Sequence, residues 1–407
     1  MEIGSNYGIA GFDRKLTAAE IATDVYHFEA ALHDLAAHPP GNSEALVAFS
    51  EAALLDLHDE VNFPEFRQVV EDFMADRPEI GAAYKVQLFW RSFQYLLLNR
   101  ATDNQYPAAY KNVMTWQTAF RAMLVHEDGR HTSEGWTLQE ILAVNNNQTN
   151  EPRRYAGVKL AIAAFADVLP PKPSLVDAGC SAGLGQIQIG ENIPFYGIDI
   201  KATPSCRKAL RELFIGNVAI GNNIGFDKLS SSDIKWVEAN SYYPSELEDN
   251  KFNHSKRRLR EFLYRKRQGF KPLFGDLTEG PDGVQEVLEK NDGLKFNVAS
   301  ALTALYEIPK NKRRVALTTL ESLSDTLVVV QDFAEIDPEN QTNLRFADDI
   351  YAPSSRYKLF AKRVDQPNEQ PWEHLGTWNN GRCTVFRPAE ALISRCVLLE
   401  TNALKRR

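Results

Sequence analysis

Residues Ser174–Lys201 read SLVDAGCSAGLGQIQIGENIPFYGIDIK, and this stretch decides the fold. An apolar run ends in Asp177. A loop of small residues follows, with Gly179, Ser181, Ala182, Gly183 and Gly185, and a second short apolar run ends in Asp199. The order is strand, glycine-rich turn, helix, strand, acidic tip. Small residues let the turn backbone approach a ligand closely, and a carboxylate at the next strand tip accepts hydrogen bonds from a ribose diol. The pattern predicts a nucleoside-containing cofactor on an α/β sheet. An ordinary tight turn in such a sheet is the plainer alternative.

From Asp177 to Gly183 the run is acid-x-Gly-x-Ser-x-Gly, not the G-x-G-x-x-G that seats a pyrophosphate on a helix N-terminus. Asp177 would repel a pyrophosphate but suits a cofactor with an ammonium group. The run resembles the first motif of Rossmann-like methyltransferases that use S-adenosylmethionine (SAM) and release S-adenosylhomocysteine (SAH). That resemblance implies that Asp177 and the glycine loop hold the methionine part, and that the acid of the next strand holds the ribose. Asp199 is the first choice for that acid, because its distance from the loop suits the next strand. Glu238, at the end of the strand-like run Ile234–Glu238, is the second.

Working outward, a helix is expected over Ser205–Phe214 and a Gly/Asn-rich loop over Gly216–Gly225. Leu273-Phe-Gly-Asp276 is a short apolar run ending in an acid. Phe296–Glu307 reads as a strand running into a loop, followed by a helix over Lys310–Leu323. Thr326–Asp332 is a continuous apolar strand, as at the buried centre of a parallel sheet. This alternation predicts a mostly parallel, doubly wound Rossmann-like α/β sheet. Tyr357–Arg363, Cys383–Phe386 and Val397–Thr401 are candidate later strands, with a Trp-rich loop over Gln366–Arg382. Residues 256–267 are strongly basic; a solvated helix face and a phosphate-contacting patch are both open readings.

Before the sheet, residues 1–145 read as an all-helical region. Thr17-Ala-Ala-Glu20 and Thr137-Leu-Gln-Glu140 are capping boxes. Val86–Leu97 is apolar on several sides, which predicts a buried helix. The region is expected to be a cap or lid beside a second domain, 146–407, or else a purely structural domain or a dimerisation domain, the last of which would make the chain a homodimer. Asn145–Tyr155 separates the two. The helix from Arg153 to Val168 then places Asn150, Glu151 and Arg154 at its start; N-capping by Thr149 or Asn150 is the structural alternative.

The chain has 407 residues and a net charge of −8, with 43% hydrophobic and 25% charged residues. That suits a globular protein with a sizeable core. The acidic balance argues against a nucleic-acid or anionic-membrane partner. No secretory leader or long apolar span is seen, so a cytoplasmic protein with no membrane partner is expected. The cysteines at 180, 206, 383 and 396 are scattered, so neither a metal site nor a disulfide framework is expected.

Beyond the first motif, the chain resembles a bacterial family of uncharacterised proteins predicted to be class I SAM-dependent methyltransferases. The matching pieces are Gln148-Thr-Asn-Glu151, Ser181-Ala-Gly-Leu184, Phe274-Gly-Asp276 and Ser300–Tyr306. The resemblance spans roughly residues 145–400. It implies a cofactor set of Asn150, Glu151, Asp177, Gly179, Ser181, Ala182, Gly183, Asp199, Asp276, Leu277 and Ala301. Tyr306, Glu307 and His374 are the candidate catalytic residues, with Asp332 and Glu335 also near the strand ends. The expected activity is methyl transfer from SAM to a small-molecule substrate. The alternatives are an RNA or protein methyltransferase docking through 256–267, and a SAM- or SAH-binding protein without turnover.

Overall fold

The structure, a computed structural model, describes residues 16–39, 42–78, 80–100, 110–124, 137–144, 153–180, 189, 198–215, 218–227, 236, 239–240, 244, 273–291, 293–306, 308–347, 356–366, 370–379 and 383–396. The chain divides into two compact units: Met1–Asn147 with Glu238–His254, and Gln148–Val237 with Ser255–Arg407.

The first unit is helical, as its 3.6-residue periodicity predicts: α1 Ala18–Ala37, α2 Glu44–His58, α3 Pro64–Asp76, α4 Ala82–Arg100, α5 Val113–Leu124 and α6 Leu138–Val144. Both expected capping boxes form. Thr17 Oγ1 accepts from the Glu20 N–H at 3.3 Å while Glu20 Oε2 accepts from the Thr17 N–H at 2.9 Å, and Thr137 and Glu140 repeat the exchange. The core is aromatic. Phe89 on α4 meets Phe28, Phe49, Phe66 and Phe93 edge-on, with centroids 5.2–6.2 Å apart. The segment Glu238–His254 returns to this unit. Gln94 Nε2 donates to the Ala239 carbonyl at 2.7 Å and Arg91 Nη1 to Asn240 Oδ1 at 3.4 Å. A single cut near residue 145 therefore does not describe the division.

The second unit is α/β. Its strands are β1 Leu175–Ala178, β2 Asp199–Ile200, β3 Asn223–Asp227, β4 Leu273–Phe274, β5 Phe296–Leu302, β6 Ser324–Ile336, β7 Leu344–Phe346, β8 Tyr357–Arg363, β9 Glu373–Trp378 and β10 Val385–Pro388. They form one sheet in the order β2-β10-β9-β8-β6-β5-β1-β3-β4, with β7 paired to β6. The block β4-β3-β1-β5-β6 is parallel throughout. β8 and β9 extend it antiparallel. Helices α7 Arg154–Ala164 and α8 Pro204–Ile215 cover one face, and α9 Gly280–Glu289 and α10 Arg313–Ser322 the other. A last helix, α11, spans 390–396. The expected doubly wound α/β architecture with a helical N-terminal region is present.

The strand assignments differ from expectation in three places. The neighbour of β1 is Asn223–Asp227, which the sequence reading left largely in a loop, not the strand ending at Asp199. Asp199 instead pairs with Val385 at the far edge of the sheet. Within the expected strand 234–238, the described residue, Trp236, is helical, as are Ala239 and Asn240. The Trp-rich loop contains a strand, β9. Gly376 makes this strand possible, because an added Cβ there would collide with the Phe386 ring of β10.

Candidate functional site

Ligands of open α/β sheets bind beyond the carboxyl ends of the strands, where successive connections diverge to opposite sides. Here that point lies between β1 and β5: β3 and β4 lie on one side of β1, β5 and β6 on the other. Gly179 leaves β1 with φ +73°, and a Cβ on it would stand 2.6 Å from the Ala304 Cβ. Only glycine allows both that conformation and that approach. Thr303, at the tip of β5, has φ +53°, an uncommon state for a β-branched residue. It is held by its N–H to the Gln331 carbonyl at 2.9 Å and by Arg154 Nη1 to its hydroxyl at 3.2 Å.

One strand over, Ala178 pairs with Phe226, and the Gly179 N–H donates to the Phe226 carbonyl at 2.8 Å. The next residue is the half-buried Asp227, level with Gly179. Its charge is one of the causes that raise the pKa values of Asp177 and Cys180, so the two acids sense each other across the strand tips. On β4, the Gly275 N–H donates to the Asp227 carbonyl at 3.1 Å. Asp276 follows, and its side chain caps Thr278 at 2.8 Å.

Asp177 is sealed. It is 1% exposed. The Ser300 hydroxyl donates to Oδ1 at 2.6 Å and the Tyr155 hydroxyl to Oδ2 at 3.1 Å. It therefore ties β1 to β5 and α7. Burial, against the two hydroxyl bonds, raises its pKa to about 7. Burial also pushes the Tyr155 hydroxyl well above its ordinary value. The stability consequence has a definite sign. Between roughly pH 4 and pH 7 the folded chain holds a proton on Asp177 that the unfolded chain has lost, so stability falls as pH rises through that window. The slope is about 1.4 kcal/mol per pH unit. Urea unfolding of Asp177→Asn should lack this component; parallel pH profiles for the two proteins would contradict the assignment.

The loop after β5 is held by a second buried acid. Asp332 Oδ2 accepts the N–H groups of Leu305 at 3.0 Å and Tyr306 at 3.3 Å, and Oδ1 that of Phe333 at 2.7 Å. Arg313 donates to the carbonyls of Tyr306 at 2.7 Å and Ile308 at 2.8 Å. Tyr306 is thereby fixed, half-buried and edge-on to Phe333 at 5.6 Å. Beneath the first turn of α7, Gln331 donates to the Arg154 carbonyl at 2.8 Å and the Tyr357 hydroxyl at 3.2 Å and accepts from Trp378 Nε1 at 2.9 Å. A Cβ at Gly157 would strike its amide, so α7 approaches β6 closely only through that glycine.

Of the residues singled out from sequence, Asp177, Gly179, Asp276, Leu277, Ala301 and Tyr306 come together at or beside these strand tips, with Leu277 and Ala301 buried. Asp199 does not. Its strand is six positions along the sheet from β1, roughly 29 Å at the usual strand spacing. Its side chain is 53% exposed and paired with Lys201 at 2.6 Å, which lowers its pKa. His374 also stands apart, on β9, three strand positions from β5 or about 14 Å. It shares the sheet face of Phe360, opposite to that of Asp177. Its Nε2 meets the Gly376 carbonyl at 3.0 Å, and burial lowers its pKa. Glu335 is exposed and paired with Lys358 at 3.0 Å. Asn150, Glu151, Ser181, Ala182, Gly183, Glu307, Glu238 and the basic segment 256–267 lie outside the described residues.

Sequence reasoning missed Asp227, although it has the same signal as Asp199: a short apolar run closed by an acid. Among the described residues no cluster of three metal-binding side chains occurs, and no helix is long and apolar enough to cross a membrane.

No protein family matches the chain. No curated protein matches it either. Among solved structures, two of magnesium protoporphyrin IX methyltransferase (ChlM) from Synechocystis PCC 6803 are similar to it. The one with bound SAH is 14% identical over 46% of this chain and 57% of that one, with a TM-score of 0.24. The one with bound SAM is 12% identical over 59% of this chain and 76% of that one, with a TM-score of 0.22. This chain thus spans little more than half the length of the first neighbour, and likeness at these scores carries no weight for its function.

Proposed function

We propose that this chain binds SAM across the tips of β1, β3, β4 and β5 and transfers its methyl group to a small-molecule acceptor. The observation that carries the reading is Asp227, an acid level with Gly179 on the adjacent parallel strand, where a ribose diol would be met. The glycine cradle supports the fit. At Gly179 a Cβ would collide with the Ala304 Cβ, so a bare Cα is required where the end of β1 meets the loop after β5. Asp276 would receive the adenine amino group; the resemblance assigns the methionine part to Asp177 and the glycine loop, and counts Asn150 and Glu151 in the cofactor set.

When bound, SAM supplies a methyl group already activated on a sulfonium. The protein's remaining task is alignment and exclusion of water. Tyr306, immobilised through the Asp332 and Arg313 bonds to its own backbone, is suited to orient the acceptor. Glu307, next in sequence, is the proposed base for an acceptor that must lose a proton. Asp332 is unsuited to that role, because both its oxygens are engaged by backbone N–H groups.

Calorimetry of the full chain with SAM, SAH and NAD tests the reading. Binding of SAM and SAH without NAD is expected. Failure to bind either adenosyl compound would remove it.

A further inference from the structure

Among the described residues, one large apolar side chain on a strand is exposed: Phe274, at 47%. It is the last residue of β4, and its register partner on β3 is Asp227. Directly paired residues of neighbouring strands put their side chains on the same face of the sheet. Leu273 points the other way, into the core shared with α9 and α10. The Phe274 ring therefore stands beside the Asp227 carboxylate, level with Gly179, on the last strand of the parallel block among the described residues. Gly275 keeps the chain beyond it close to β3, since a Cβ there would sit 2.6 Å from the Phe226 ring.

We infer that Phe274 is the stacking platform for the purine base of the bound nucleoside. This rests on the reading of Asp227 as the ribose acid. With the diol at Asp227, one end of the ligand runs inward to the Gly179 loop and the other outward over β4. The outward end is the base, and an exposed phenyl ring offers it a flat apolar surface. Stacking is blind to the hydrogen-bonding edge of the base, so Phe274 contributes affinity for any planar base, and Asp276 is left to choose among them.

Three ligands separate the parts in calorimetry on the full chain: SAH, adenosine, and S-ribosylhomocysteine, which keeps the sugar and amino acid but lacks the base. Phe274→Ala should weaken SAH and adenosine by a common factor of about 5- to 100-fold and leave S-ribosylhomocysteine within about twofold. Phe274→Trp should retain SAH affinity, and the fluorescence added by the new indole should be quenched by adenosine. Urea midpoints matching the wild type for both variants would exclude a folding defect as the cause. Unchanged adenosine affinity in Phe274→Ala, or an equal loss for S-ribosylhomocysteine, would overturn the inference while leaving SAM binding intact. A wild-type chain that binds neither SAH nor adenosine would overturn both.

Discussion

Asp227→Ala is expected to weaken SAH binding by about 10- to 150-fold, or about 1.5–3 kcal/mol, the range for hydrogen bonds to a charged group. A carboxylate at the tip of β3 can accept from both ribose hydroxyls, and its half-buried setting limits competition from water. Asp227→Asn keeps one good acceptor and should lose less. The control is Asp199→Ala. Asp199 is exposed, ion-paired with Lys201 and at the far edge of the sheet, so its removal should leave the affinity unchanged. The ligand side gives a second check: 2′,3′-dideoxyadenosine, which has no diol, should bind wild type and Asp227→Ala alike. Loss of affinity in Asp199→Ala with none in Asp227→Ala would return the ribose to the acid that sequence spacing favours.

That contrast shows where the sequence is legible. β1 and β6 are readable because buried parallel strands are nearly continuous apolar runs, and α1 and α6 because their capping boxes are local, three residues apart. The choice between Asp199 and Asp227 is not local. Both close short apolar runs, and only the order of strands in the sheet tells them apart. β3 hides further because Asn223 and Gly225 are poor strand formers whose pairing with Leu175 and Asp177 comes from the tertiary fold. The character of Asp177 is equally distant information. The hydroxyls that seal it belong to Tyr155 and Ser300, 22 and 123 positions away, and nothing in the acid-x-Gly pattern says whether its carboxylate will face a ligand or a tyrosine. Likewise β9 reads as a loop until Gly376 is seen to lie against Phe386.

Asp332→Ala should be the most destabilising substitution in the second unit's site, by about 3–5 kcal/mol in urea unfolding. Three backbone N–H groups lose their acceptor at once, those of Leu305, Tyr306 and Phe333. An unsatisfied buried donor costs about 1–3 kcal/mol, and the three share one carboxylate, so their costs overlap instead of adding. Asn cannot rescue the site fully. Its amide oxygen can serve Leu305 and Tyr306 or else Phe333, and the NH2 group then faces a donor. The pH dependence follows from burial, which raises the Asp332 pKa to about 6 despite the three bonds. Between roughly pH 4 and pH 6 the folded chain holds a proton that the unfolded chain has released, so the wild type loses stability as pH rises there. Its advantage over Asp332→Ala should therefore narrow across that interval and then level off. Hydrogen exchange at the Leu305 and Tyr306 amides should accelerate in the variant, and SAH affinity should fall with it, because the loop they anchor touches Gly179 through Ala304. A catalytic base would behave otherwise: its removal would abolish turnover and leave stability, amide protection and SAH affinity at wild-type values.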